Sequence, residues 1–237
     1  MRTISILVII LALVSCGQGF HDSISGNGKV KTIEISRDTI NRIEVSHNVN
    51  VTCIPSDSVM VLVSADENLL DIIECEIWGG TLDISTTKYI RMAKSKEVIV
   101  YSPDIRRLEA SSGSVINVRD SLHSEDLTVY VSSNADVHFA GTTESLDINA
   151  SSGGSVHAAG TTDHLMVNAS SASDIFAFDL RAMKCDVIAS SAADVRVTIE
   201  ESARFEASSA ADIRYRGDPH ILNSSETSMG DIRKVSF

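Results

Sequence analysis

One motif returns along the second half of the chain at a near-constant interval, and that interval leaves few folds open. Ala110-Ser111-Ser112-Gly113-Ser114-Val115 is followed by Val131-Ser132-Ser133-Asn134-Ala135-Asp136-Val137 and by Ala150-Ser151-Ser152-Gly153-Gly154-Ser155-Val156. Ala169-Ser170-Ser171-Ala172-Ser173-Asp174-Ile175, Ala189-Ser190-Ser191-Ala192-Ala193-Asp194-Val195 and Ala207-Ser208-Ser209-Ala210-Ala211-Asp212-Ile213 continue it. Asn223-Ser224-Ser225 with Asp231-Ile232 is a worn last copy. The first serines lie 21, 19, 19, 20, 18 and 16 residues apart. A period of about 20 residues with no helical spacing inside it marks a solenoid.

Within each copy, apolar and polar residues alternate on both sides of the serine pair. Leu127-Val129-Val131, Leu146-Ile148-Ala150 and Leu165-Val167-Ala169 share one face, while Thr128, Tyr130, Asp147, Asn149 and Asn168 take the other. Val137, Val156, Ile175, Val195, Ile213 and Ile232 follow the acid or serine directly. The fold class is therefore all-β: two short strands per repeat, joined by small-residue corners, form one coil of a parallel β-solenoid. Equivalent residues then stack about 4.8 Å apart. Cys185 falls in the column of Leu146 and Leu165, which makes it a buried core thiol. Of 35 serines, 23 lie at or after Ser111, so the serine excess is positional. A corner needs small side chains, whose hydroxyls can bond along the axis or cap the turning backbone. No one copy carries the base and oxyanion site that a serine nucleophile needs.

Residues 29–102 are β-patterned without the repeat. Strands are expected near Thr32–Ser36, Arg42–Ser46, Val49–Ile54, Val59–Ser64 and Glu97–Tyr101, with one helical turn in 65–73. Gly79-Gly80 joins Glu74–Trp78 to Thr81–Ser85 as a hairpin. No Pro/Gly-rich linker separates this part from the repeats at 103–237, so it is expected to start or cap the solenoid, whose bare end would invite aggregation.

Before it, Arg2 and the apolar run Ile4 to Val14 read as an export signal too short to span a membrane as a mature helix. The run ends in Leu13-Val14-Ser15-Cys16, which resembles the lipobox of bacterial lipoproteins. That resemblance implies a signal peptide over 1–15, lipidation of Cys16 and a tether over 16–28. Gly17 after the cysteine then favours the outer membrane. Multiple acyl chains on one residue anchor stably where a single chain does not.

Ser25-Gly26-Asn27-Gly28, Ile43-Glu44-Val45-Ser46, Ala65-Asp66-Glu67-Asn68-Leu69-Leu70, Gly80-Thr81-Leu82-Asp83-Ile84 and the Ser-Ser-x-x-Asp-Val repeats occur in that order. Together they resemble the putative auto-transporter adhesin, head GIN domain family, from about Gly26 to Ile232. The resemblance implies a right-handed parallel β-helix on exported, lipid-anchored bacterial proteins, and a cell-envelope location. It brings no catalytic residues with it.

The chemistry open to such a rod follows from its columns. Asp136, Asp174, Asp194, Asp212 and Asp231 share a register, and stacked carboxylates repel unless solvated, paired or bound to a cation. Calcium suits several oxygen ligands, which makes Asp174, Asp194 and Asp212 candidate metal ligands. Arg196, Arg214 and Arg233 lie two residues beyond their acids on the same strand face, so ion pairing is the stronger expectation, and the glycine-rich nonapeptide of calcium-binding rolls is absent. No metal or cofactor is expected. The same face carries His138, His157 and Phe176, which with the three arginines form a candidate binding stripe for a glycan or protein ligand. A net charge of -12 argues against nucleic acid, whose phosphates need clustered Lys and Arg. The membrane is expected as a partner only through the N-terminal lipid. The rival class is a polysaccharide-active enzyme on a parallel β-helix, which needs paired carboxylates in a cleft. Here the acids belong to the repeat, and six Phe, four Tyr and one Trp leave few rings to stack sugars. A non-catalytic binding module is the favoured reading, with a structural or sensing envelope module as the third.

Overall fold

A strand with one apolar face must bury that face against something, and here each coil turns it inward onto one continuous core, while its edges pair with the coils above and below. The computed structural model describes residues 22–236; the expected signal peptide and lipidation site, Cys16, lie outside the described residues. The chain runs β1 (Ser23–Ser25), β2 (Val30–Ser36), β3 (Arg42–Val45), β4 (Asn50–Pro55) and β5 (Met60–Asp66), then a single 3-10 turn at Glu67–Leu69. It continues through β6 (Ile73–Trp78), β7 (Thr81–Thr86), β8 (Tyr89–Met92), β9 (Lys96–Ser102) and β10 (Arg107–Ala110). The repeats follow as β11 (Val115–Val131), β12 (Asp136–Ala150), β13 (Ser155–Ala169), β14 (Asp174–Ala189), β15 (Asp194–Ala207), β16 (Asp212–Arg216), β17 (Ile221–Glu226) and β18 (Asp231–Lys234).

Strands β11 to β15 pair in parallel, one coil on the next, with Val137 on Val156 and Leu146 on Leu165. Val51, Ile116, Val137, Val156, Ile175, Val195 and Ile213 form one continuous column of inaccessible side chains. Burying such a side chain contributes about 1.5–3 kcal/mol. Beside the corner runs a second column, Val45, Ala110, Val131, Ala150, Ala169, Ala189 and Ala207.

Where two short strands per repeat are expected, each middle coil is one bent strand of 14 to 17 residues. In β12 the inward residues are Val137, Phe139, Gly141 and Thr143, then Leu146, Ile148 and Ala150. The alternation slips by one at Glu144–Ser145, and that slip is the bend. Parallel neighbours keep bonding the backbone through it, so no loop is needed. Just before the bend, Gly160 permits a close approach to the coil below: its φ is +112°, and an added Cβ would lie 1.9 Å from the carbonyl oxygen of its register partner Gly141.

The corners work differently from a ladder of serine hydroxyls. The second serine of each full copy sits in the left-handed region, with φ between 50 and 54° for Ser112, Ser133, Ser152, Ser171, Ser191 and Ser209. This turns the next N–H along the axis, so that Asn134, Ala172 and Ala192 donate to the carbonyls of Ser152, Ser191 and Ser209. The axial side-chain bonds come from the buried fourth position of the corner. The Ser114 hydroxyl donates to the Val45 carbonyl at 3.0 Å and that of Ser173 to the Ala150 carbonyl at 3.2 Å.

Parallel stacking already begins upstream of the repeats, with β3 between β7 and β10, and β4 between β9 and β11. Antiparallel pairs close this end: β5 lies between β2 and β9, and β6 folds back on β7 through Gly79 and Gly80, both at positive φ. The buried Asp66 ties the entering chain down by accepting the N–H groups of Gly28, Lys94 and Ser95. Burial alone would raise its pKa, but those three donors and the charge of Lys94 hold the carboxyl below the usual range. The described cysteines are free thiols: Cys53 and Cys185 are buried and Cys75 is partly so. Burial pushes Cys53 up to about 12 and Cys75 up to about 11, and raises Cys185 as well, so none is a thiolate at neutral pH. Among the described residues, no helix is long and apolar enough to cross a membrane.

Candidate binding face

An in-register parallel stack converts a sequence position into a column, and the outward positions two residues past each corner acid form the column of interest. It runs Thr52, Asn117, His138, His157, Phe176, Arg196, Arg214 and Arg233. All six residues of the expected stripe are therefore adjacent, and two polar members, Thr52 and Asn117, precede them. These two escape a reading of the repeat because Thr52 lies before it and Asn117 is neither ring nor base.

The coil spacing suits flat rings lying face to face. His138 and His157 stack with centroids 4.5 Å apart and planes 9° from parallel; His157 and Phe176 stack at 4.4 Å and 14°. The Arg196 guanidinium caps the stack 4.7 Å above the Phe176 centroid, a favourable cation–π placement. A shallow depression of about 450 Å³ runs beside these residues and reaches Phe178 and Asp179.

The arginine end is not a free cationic patch. Arg196 donates to Asp194, and Arg214 bridges Asp194 at 3.2 Å and Asp212 at 2.6 Å. Arg233 bridges Asp212 at 2.7 Å and also Asp231. Each pair alone is worth about 0–1 kcal/mol, but the alternation neutralises Asp194 and Asp212 within their column. Two of the three candidate calcium ligands are thus held by guanidinium groups. Among the described residues, no three His, Cys, Asp or Glu side chains come close enough together to hold a metal ion.

On the face beyond the corner, Tyr130, Asn149 and Asn168 form a polar column. Asn168 donates to Asn149 at 3.3 Å, and the Arg107 guanidinium covers Tyr130 at 4.2 Å. That column holds its own polar groups and offers no stacked rings.

The stacked imidazoles give the binding face a pH dependence. Desolvation within the stack, then the charge of His138, holds His157 below the usual histidine range, with Asp136 and Asp174 opposing. Its folded pKa lies below the unfolded value of about 6.5, so the unfolded chain takes up the proton first. The stack's contribution is present above that value and is lost as pH falls through and below it. Thermal melts from pH 7.5 to 5 should fall more steeply for the wild type than for His157→Phe, which keeps the ring and removes the charge.

A model of the family described as "Putative auto-transporter adhesin, head GIN domain" matches residues 39–219. The crystal structure of a putative adhesin from Bacteroides fragilis superposes with a TM-score of 0.84 at 19% identity, covering 90% of this chain and 100% of that one. A putative adhesin from Parabacteroides merdae gives 0.71 at 17% identity, over 91% and 100%. A protein from Parabacteroides distasonis described as a putative lipid binding protein gives 0.70 at 22% identity, again over 91% and 100%. At these identities the likeness is one of fold. No curated protein matches the chain.

Proposed function

The chain belongs to the putative auto-transporter adhesin, head GIN domain family, and from that premise we propose that it is a non-catalytic adhesin of the bacterial cell envelope. In this reading Cys16 carries the lipid that holds it at the outer membrane, and the rod presents the His138, His157, Phe176 and Arg196 column to a glycan or protein at the cell surface. One observation carries the proposal: three rings and a guanidinium stacked face to face on an accessible sheet face. A core has no use for such a ladder outside it, whereas a ligand of repeating units gains several weak contacts at regular steps. The ion-paired arginines keep their end of the column rigid, so little ordering entropy is lost on binding.

The test is an array of glycans and matrix proteins probed with the full-length chain in mild detergent. Specific binding should appear and should weaken at least tenfold in His157→Ala/Phe176→Ala. Equal binding by wild type and variant would remove the column from the reading. Turnover of a polysaccharide would replace the adhesin with an enzyme, and silence across the array would leave a structural envelope module. Radiolabelled palmitate should enter the wild type and not Cys16→Ser, which tests the anchor separately.

A further inference from the structure

Ten of the described Lys and Arg side chains of this acidic chain pair with carboxylates, and one groove gathers three that do not. Beside the first repeat coil, a groove of about 540 Å³ is lined by Lys94, Lys96, Glu97, Asn50, Asn117 and Arg119 among others. The topology assembles it: β9 pairs with β4 and β4 with β11, so Glu97, Asn50 and Val115 share a register, and Arg119 lies farther along β11. The nearby acids are occupied. Glu97 accepts the Thr52 hydroxyl, and Asp66, near Lys94, is taken up by three backbone N–H groups. Among the described residues, no ion pair forms at Lys94, Lys96 or Arg119, in contrast to Arg196, Arg214 and Arg233. Lys96 is half-buried, its ammonium bonded to the Asn48 carbonyl, and burial lowers its pKa. Glu97 sets one negative charge against the three bases, so the groove stays net positive.

We propose that this groove holds a carboxylate or sulfate of an acidic polysaccharide whose chain continues along the Asn117, His138, His157 and Phe176 column. The inference rests on the adhesin reading and names its ligand class. Asn117 belongs to both features: it lines the groove and stands one coil below His138. From Asn117 to Phe176 is three coil steps, about 14 Å at ~4.8 Å per step. A ligand lying there meets charge at one end and neutral flat rings after it. The chain as a whole carries a net charge of -12 and repels a densely charged polymer such as nucleic acid. Sparse negative charge separated by uncharged sugar faces fits both halves.

Hyaluronan octasaccharide, in which charged and uncharged rings alternate, is the probe, with its carboxyl methyl ester as the neutral counterpart. The full-length chain should bind the acid at least tenfold more tightly than the ester at low salt, and the difference should shrink as salt rises. Lys94→Glu/Arg119→Glu should abolish the difference. Lys29→Glu/Lys31→Glu, the same charge change at exposed positions on or beside β2, should leave it; melts of both variants verify folding. Equal affinity for acid and ester overturns the proposal, as does equal loss in both variants or equally tight binding of polyglutamate. Saccharide binding that needs Phe176 but ignores the Lys94/Arg119 variant defeats the groove and leaves the adhesin reading standing. If neither saccharide binds and the wider glycan and matrix array is also silent, both fall.

Discussion

Gly160→Ala is expected to destabilise the rod by about 3 kcal/mol or more, against about 1 kcal/mol for Gly113→Ala. Both glycines sit at positive φ, 112° and 70°, so both substitutions carry a conformational cost. They differ in what the new methyl meets. At Gly113 nothing lies within 4 Å, whereas at Gly160 the Gly141 carbonyl oxygen is 1.9 Å away. That oxygen is backbone of the adjacent coil and cannot rotate aside. The coils must separate at this point, and the ladder around Ala159 to Thr161 is lost with them. Urea unfolding of the two variants gives the comparison, and similar midpoints for both would refute the close-approach account.

Phe205→Ala is expected to cost about 3–5 kcal/mol, and Phe205→Leu under about 1.5 kcal/mol. Phe205 is fully buried and is the last apolar member of the column Leu108, Val129, Ile148, Val167 and Val187, with Ser224 next in register. Its ring packs against Tyr215 at 5.3 Å, tilted by 47°, and fills the width of the rod near its last coils. Because each coil touches only its neighbours, the damage should stay local. Hydrogen exchange should show β15 to β17 opening in Phe205→Ala while β11 to β13 keep their protection. Uniform loss along the rod would mean that the stack melts as one unit instead.

The repeat made the coil legible because a motif such as Ala-Ser-Ser-Ala-Ala-Asp-Val fixes both register and inward face. From that register the stacking of His138, His157 and Phe176 follows, as does the pairing of Asp212 with Arg214. What the pattern hides is distributed. The bend at Glu144–Ser145 is a slip of one residue, which carries no turn signature because the neighbouring coils supply the hydrogen bonds. The role of β3 and β4 as early parallel strands is invisible too, since Ile43 to Val45 and Val51 to Cys53 alternate as any strand does. The basic groove escaped for the same reason: Lys94, Lys96 and Arg119 converge only through the pairing of β9, β4 and β11, and no spacing in the chain announces it.

The shared register of β12, β13 and β14 also bears on how such a molecule changes over generations. Residues 155–173 make one whole turn, and the strands on either side of it present the same column identities in the same order. Excising that stretch would set His138 directly against Phe176 and keep the columns in order, with the one extra residue between Phe176 and Asp179 retained as a bulge. Copying it would lengthen the rod by about 4.8 Å and add one rung to every column. Copy number thus acts as a dial on reach, one that replication slippage can turn without redesigning a core.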